Sequence, residues 1–208
     1  MSESSVYTTP VLTAEQLATG YSYSAYRQLI DGLLEQDRTT GPNQSEELTK
    51  YTRLNVQRMS RIDKTVELVP ELREAVGNLQ NRYVWAIITE GWCGDAAQIV
   101  PVLEAVAQAS NGQIETRYLL RDEHLDLMDR YLTNGGRSIP KLVVLHADTL
   151  MEATNWGPRP AAAQEMFMRL KAEGLSHDEF VTQVHGWYAK DKTQSTQQEL
   201  VQLVSGLS

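Results

Sequence analysis

The sequence predicts an α/β protein: a mixed four-stranded sheet with helices on both faces, and further helices at the two ends of the chain. Two observations carry this reading. Residues 84–89 are an apolar, largely β-branched run and residues 114–120, after the turn Asn111-Gly112, read as a second strand; a stretch of helical spacing over 95–109 joins them, which makes a βαβ unit with parallel strands. Residues 142–145 and 150–154 are shorter runs around the turn His146-Ala147-Asp148, the pattern of a hairpin. The first eighty residues, by contrast, show helical spacing and no convincing strand.

In chain order, residues 1–12 are polar and expected to be loose. Thr13-Ala14-Glu15-Gln16 has the form of a capping box, opening a short helix that resumes over 24–34. Thr39-Thr40-Gly41-Pro42-Asn43 reads as a turn. Ser45, with Glu46 and Glu47 in the first turn, then caps a helix running toward Leu68. On that helix Leu48, Tyr51, Met59, Ile62 and Val66 fall on one side, interrupted by Asn55, with Lys50, Arg53, Arg61 and Lys64 opposite. A basic stripe of this kind could recruit an acidic partner, but ordinary amphipathicity favours a solvated face. Pro70 opens a helix over 71–79.

After the second strand, Asp122 is expected to begin a helix with Leu125, Met128 and Leu132 inward, ended by Asn134-Gly135-Gly136. The segment Arg121-Asp122-Glu123-His124 either lines a cleft or is a polar loop with Asp122 as N-cap, the simpler reading. Asn155-Trp156-Gly157-Pro158-Arg159-Pro160 breaks the chain after the hairpin. Within it Trp156 either covers a site edge or packs in the core, and Arg159 reads as a solvated loop charge. Pro160 starts a helix with Met166, Phe167 and Leu170, stopping at Gly174. Ser176-His177-Asp178-Glu179 is a second capping box, followed by Phe180, Val184, Trp187 and Tyr188 at helical spacing. Residues 195–198 would cap a last helix carrying Leu200, Leu203 and Val204.

The totals exclude some functions. At 208 residues, with 41% apolar and 22% charged residues, the chain can bury one sizeable core. A net charge of −8 argues against nucleic acid or an anionic membrane surface as the main partner. One cysteine excludes an internal disulfide and suits a reducing compartment. Residues 1–20 lack a signal-peptide pattern and no apolar run is long enough to span a bilayer, so a soluble, cytoplasmic protein is expected. His124, His146, His177 and His185 are scattered without metal-ligand spacing, and no glycine-rich phosphate loop follows a strand, so neither a metal nor another cofactor is expected.

The single cysteine lies in Gly91-Trp92-Cys93-Gly94-Asp95, where the first strand ends and a helix begins. Unpaired amides and the helix dipole there favour the thiolate. Asp95 and Glu90 place like charge nearby and oppose it, while Arg137 would compensate if its side chain turned inward. The sequence leaves the sign of the balance open.

Three segments in register give the chain its resemblance to a known family. Gly91-Trp92-Cys93-Gly94 matches the Trp-Cys-Gly of the thioredoxin active site. Pro101, eight residues after the cysteine, matches the proline that kinks that family's active-site helix. Arg137-Ser138-Ile139-Pro140-Lys141-Leu142-Val143-Val144-Leu145 looks like its cis-proline segment. The chain thus resembles the thioredoxin superfamily over residues 82–173. The resemblance implies a thioredoxin-like fold lacking the first strand, with the 114–120 strand outside the 84–89 strand, followed by the 142–145 and 150–154 strands. A single domain is expected: a helical extension over 1–81, the core over 82–173, and C-terminal helices over 174–208 packed on it. The resemblance further implies a site with Cys93 as the catalytic residue and Trp92, Gly94, Asp95, Ser138, Ile139 and Pro140 against the substrate, with Pro140 cis. Read without the resemblance, Pro140 could instead be a trans proline opening an edge strand.

The departures decide what activity to expect. Ala96 stands where thioredoxin has its second cysteine, and Ile87 where it buries an aspartate. An ordinary dithiol reductase is therefore not expected. The leading expectation is a monothiol redox protein, with Cys93 exchanging with a protein or low-molecular-weight disulfide or oxidised as a sensor. Monothiol glutaredoxins resemble it in using one thiol, but their Cys-Gly-Phe-Ser motif is absent. The alternative is a non-catalytic module that holds an extended peptide beside Trp92 and Ile139-Pro140 by strand-like pairing. Cys93 could also be simply a small buried residue.

Overall fold

The computed structural model describes residues 10–207; the expected loose start over residues 1–9 lies outside the described residues. The end of that polar segment is docked rather than loose. Val11 and Leu12 are buried, and the Val11 N–H donates to the Leu150 carbonyl at 3.4 Å.

Four strands, β1 (Tyr83–Thr89), β2 (Ile114–Leu120), β3 (Lys141–His146) and β4 (Glu152–Trp156), form one sheet in the order β2-β1-β3-β4. β1 pairs parallel with β2 and antiparallel with β3, which pairs antiparallel with β4. Every residue of β1 is buried, as a central strand covered on both faces requires; that is why its sequence is a continuous apolar run rather than an alternating one.

The helices are α1 (Ala14–Ala18), α2 (Tyr23–Leu34), α3 (Glu46–Thr65), α4 (Pro70–Gly77), α5 (Gly94–Ala109), α6 (Leu125–Met128), α7 (Ala161–Ala172), α8 (His177–Asp191) and α9 (Gln194–Ser205). Both capping boxes are present, Thr13 with Gln16 and Ser176 with Glu179, and the Ser45 hydroxyl accepts the Leu48 N–H to cap α3. α5 crosses the β1–β2 connection and is itself packed by α3, α4 and α9. Buried side chains at Ala97, Ile99, Val100, Val102 and Leu103 therefore run around its circumference. Among the described residues no helix is long and apolar enough to cross a membrane.

Several elements differ from their sequence-based expectation. α3 ends at Thr65, and its buried face is Thr49, Thr52, Asn55, Met59 and Ile62; Leu48 and Tyr51 are only half-buried. Asn55 is thus the middle of the inner face and not an interruption. Its amide donates to the Gly91 carbonyl at 3.0 Å, and the Thr52 hydroxyl meets that of Thr39 at 2.6 Å, so the buried polar groups are satisfied by neighbouring loops.

Asp122 does not cap a helix. Its N–H donates to the Glu90 carboxylate at 3.0 Å from within a short 3-10 turn, and only the four-residue α6 follows. Leu127, Met128 and Tyr131 face inward there, leaving Leu125 and Leu132 exposed. The hairpin turn is longer than read, because Leu150 sits in the left-handed region (φ 56°), so β4 starts at Glu152 and includes Trp156. Thr193, not Ser195, is the N-cap of α9, while the Asp191 carboxylate accepts the Ser195 N–H.

Candidate functional site at Cys93

Cys93 is the N-cap of α5, fixed from behind by its own N–H, which donates to the Glu90 carbonyl at 3.1 Å. Its sulfur accepts the Ala96 N–H at 3.5 Å, and its thiol donates to the Ile139 carbonyl at 3.3 Å. The Ile139–Pro140 bond is cis, as is Gly157–Pro158. Cys93 is 9% exposed. Burial, and after it the Asp95 carboxylate, push the thiol up to about 12 in spite of the Ala96 N–H and the nearby Arg159. The helix terminus is present, but desolvation outweighs it.

The arginine expected to compensate faces elsewhere. Arg137 pairs with the exposed Asp129 at 2.6 Å. Arg159 is the cation at the site, and it is not a solvated loop charge. It is buried, donates to Asp95 Oδ2 through Nε (3.1 Å) and Nη2 (2.6 Å), and reaches Gln164 through Nη1 (2.7 Å). Its guanidinium lies 3.9 Å from the centre of the Phe167 ring. Tyr188 of α8 donates to the other Asp95 oxygen at 2.7 Å. Asp95 therefore ties the start of α5 to the β4–α7 loop and to α8.

The Gly91-Trp92-Cys93-Gly94 turn is roofed. A methyl group on Gly91 would lie 3.1 Å from Ile30 of α2, and one on Gly94 2.8 Å from Nε2 of His185 on α8. Gln98 holds the other ring nitrogen of His185 at 3.3 Å. Between α3, α8 and this turn lies a cavity of about 510 Å³ lined by Tyr51, Trp92, Cys93, Phe167 and Phe180 among others. The Arg121 guanidinium lies over the Trp92 ring, 4.8 Å from its centre.

Of the residues expected at the site, Trp92, Cys93, Gly94 and Asp95 line the cavity. Ser138, Ile139 and Pro140 do not line it. Ile139 and Pro140 are buried, and the Ile139 carbonyl, which strand-like pairing with a peptide would use, is taken by the thiol. Trp156 is in β4, its indole N–H donating to Glu199 of α9 at 2.7 Å. Among the described residues no group of three or more His, Cys, Asp and Glu side chains is arranged to hold a metal ion. Sequence reasoning missed Asn55, Arg58, Arg159, His185 and Tyr188; the one local signal was the spacing of His185 and Tyr188, three apart on one face of α8.

His185 makes the roof sensitive to acid. Burial, together with Arg58 and Arg61 and against Asp95, pushes its imidazole down to about 4. The unfolded chain binds a proton near pH 6.5 and the folded chain does not, so this residue's contribution is full above pH 6.5 and is lost as pH falls toward 4. Wild type should lose roughly 2–3 kcal/mol more than His185→Gln between pH 7 and 4.5 in urea unfolding. Parallel pH profiles for the two proteins would show that the ring is solvated.

The sequence model of the family described as Thioredoxin matches residues 41–173. Two solved structures share the fold, each with a TM-score of 0.62 over 94% of this chain and 98% of its own. One is a protein of unknown function from Pseudomonas aeruginosa at 15% identity, the other an HIV epitope-scaffold at 14%. No curated protein matches the chain.

Proposed function

Starting from the fact that the chain belongs to the thioredoxin family, we propose that it is a non-catalytic binding member, whose cavity beside Trp92 and Cys93 receives a ligand. The observation that carries this is the thiol itself, buried and spent as a hydrogen-bond donor to Ile139. A thiol held near 12 is ionised at neutral pH to only about one part in 10⁵, against a few per cent or more for a free cysteine. Ala96 also leaves no second thiol to resolve a mixed disulfide within the chain.

The test is alkylation of Cys93 by iodoacetamide across pH 6–10. The native protein should react at least a thousandfold more slowly than free cysteine at pH 7.5, form no adduct with glutathione disulfide, and react normally once unfolded. Fast native alkylation with a midpoint below pH 8 would overturn this reading.

One observation favours a monothiol redox protein as the second reading: the sulfur keeps the Ala96 N–H at the start of α5. Exchange on this reading needs α8 to lift from Gly94. The Cys93 thiolate attacks a protein or low-molecular-weight disulfide, forming Cys93–S–S–R and expelling RS⁻. An external thiol then attacks that bond, releasing R as a new disulfide and returning Cys93 as the thiol. A reducing compartment such as the cytoplasm suits both readings.

A further inference from the structure

We propose that the cavity beside Cys93 takes a small monocarboxylate with an apolar body, its carboxylate on Arg58 and its body against Tyr51, Trp92, Phe167 and Phe180. This inference rests on the reading of the chain as a binding protein.

The cavity's volume, about 510 Å³, falls among those that enclose small molecules, and Leu48, Tyr51, Trp92, Phe167, Phe180 and Val181 give it an apolar wall. Among the described residues Arg58 is its one permanent cation. It projects from α3, is half-buried, and among the described residues makes a single hydrogen bond, from Nη1 to the neutral Asn55 side-chain oxygen at 2.7 Å. Arg27, Arg53, Arg121, Arg137 and Arg159 each hold an aspartate, whereas among the described residues no carboxylate pairs with Arg58. A partly desolvated guanidinium with donors to spare is complementary to an anion that brings its own carboxylate.

The rest of the lining fixes the charge of the ligand. Two carboxylates line the same cavity, Asp95, which is paired with Arg159, and Glu47, which lies 3.8 Å from His177, so a dianion would meet repulsion that a monoanion on Arg58 largely avoids. His185 is neutral there. Its Nδ1 faces the Gln98 amide as acceptor, which leaves Nε2 as an N–H donor above Gly94. The occupant is thus amphipathic and singly charged, not a phosphate.

Calorimetric titration of the full chain with 4-phenylbutyrate, 4-phenylbutanol and inorganic phosphate tests this. Phenylbutyrate should bind at least tenfold more tightly than the alcohol, and phosphate should not compete. Arg58→Gln should abolish the preference for the acid while leaving the alcohol's affinity within twofold, and Arg58→Lys should restore part of it. Leu48→Trp, which fills the cavity, should weaken both organic ligands at least tenfold. Equal affinities for acid and alcohol, or a preference that survives Arg58→Gln, would overturn the carboxylate anchor while the pocket reading stood. Binding indifferent to Leu48→Trp, or no binding of either organic ligand, would overturn both.

Discussion

Replacing Asp95 with alanine should destabilise the protein by about 3–5 kcal/mol, because it strands a buried guanidinium. The side chains of Arg159 and Asp95 are 6% and 11% exposed, so neither charge has water to fall back on. Three donated hydrogen bonds end on that carboxylate, two from Arg159 and one from Tyr188. Their loss leaves Arg159 with Gln164 and the face of Phe167 only. The double variant Asp95→Leu with Arg159→Met removes both charges and should lose less than Asp95→Ala alone, since an apolar pair of similar volume avoids the desolvation penalty. Urea unfolding of Asp95→Leu, Arg159→Met and their double variant measures the coupling. Strictly additive losses would show that the two side chains are not coupled.

The same pair explains what the sequence could and could not reveal. The sheet was legible because its signals are local. β1 is a buried apolar run up to its last residue, Thr89, α5 has helical spacing, and β2 returns within a βαβ unit, so strand type and pairing follow from neighbouring residues. Cys93 was legible too, since its place between β1 and α5 is set by two adjacent elements and a glycine turn. Its environment was not. Arg159 reaches Asp95 across 64 residues, Tyr188 across 93, and His185 meets Gln98 across 87. No periodicity encodes such meetings.

Reading α3 by apolarity alone failed for a related reason. Thr52 and Asn55 look like surface residues until their partners Thr39 and Gly91 come into view. At the hairpin, Leu150 looked like a strand residue because its side chain is apolar; its left-handed backbone is a property of the turn. Even the acidity of Cys93 turned on burial by helices far from it in the chain, which outweighed the local helix terminus.

Gly157→Ala should be as damaging as any change in the loop that carries Arg159, with an expected loss of about 3 kcal/mol. Gly157 has φ +109°, where side chains are rarely tolerated, and a methyl group there would lie 2.6 Å from the Pro140 carbonyl oxygen. That neighbour is backbone at the start of β3 and cannot swing aside. Either the β4–α7 loop or the Ile139–Pro140 segment must retreat, and the first option draws Arg159 off Asp95 while the second disturbs the acceptor of the Cys93 thiol. Gly174→Ala is the matched control: its φ is +67° and nothing lies within 4 Å of the added methyl, so only about 1 kcal/mol of backbone strain is expected. The same alkylation assay should find Cys93 more reactive in Gly157→Ala than in Gly174→Ala, at equal distance below each unfolding midpoint. Equal losses in the two variants would mean that the approach of Gly157 to Pro140 is soft, and that the loop does not hold the sulfur's surroundings in place.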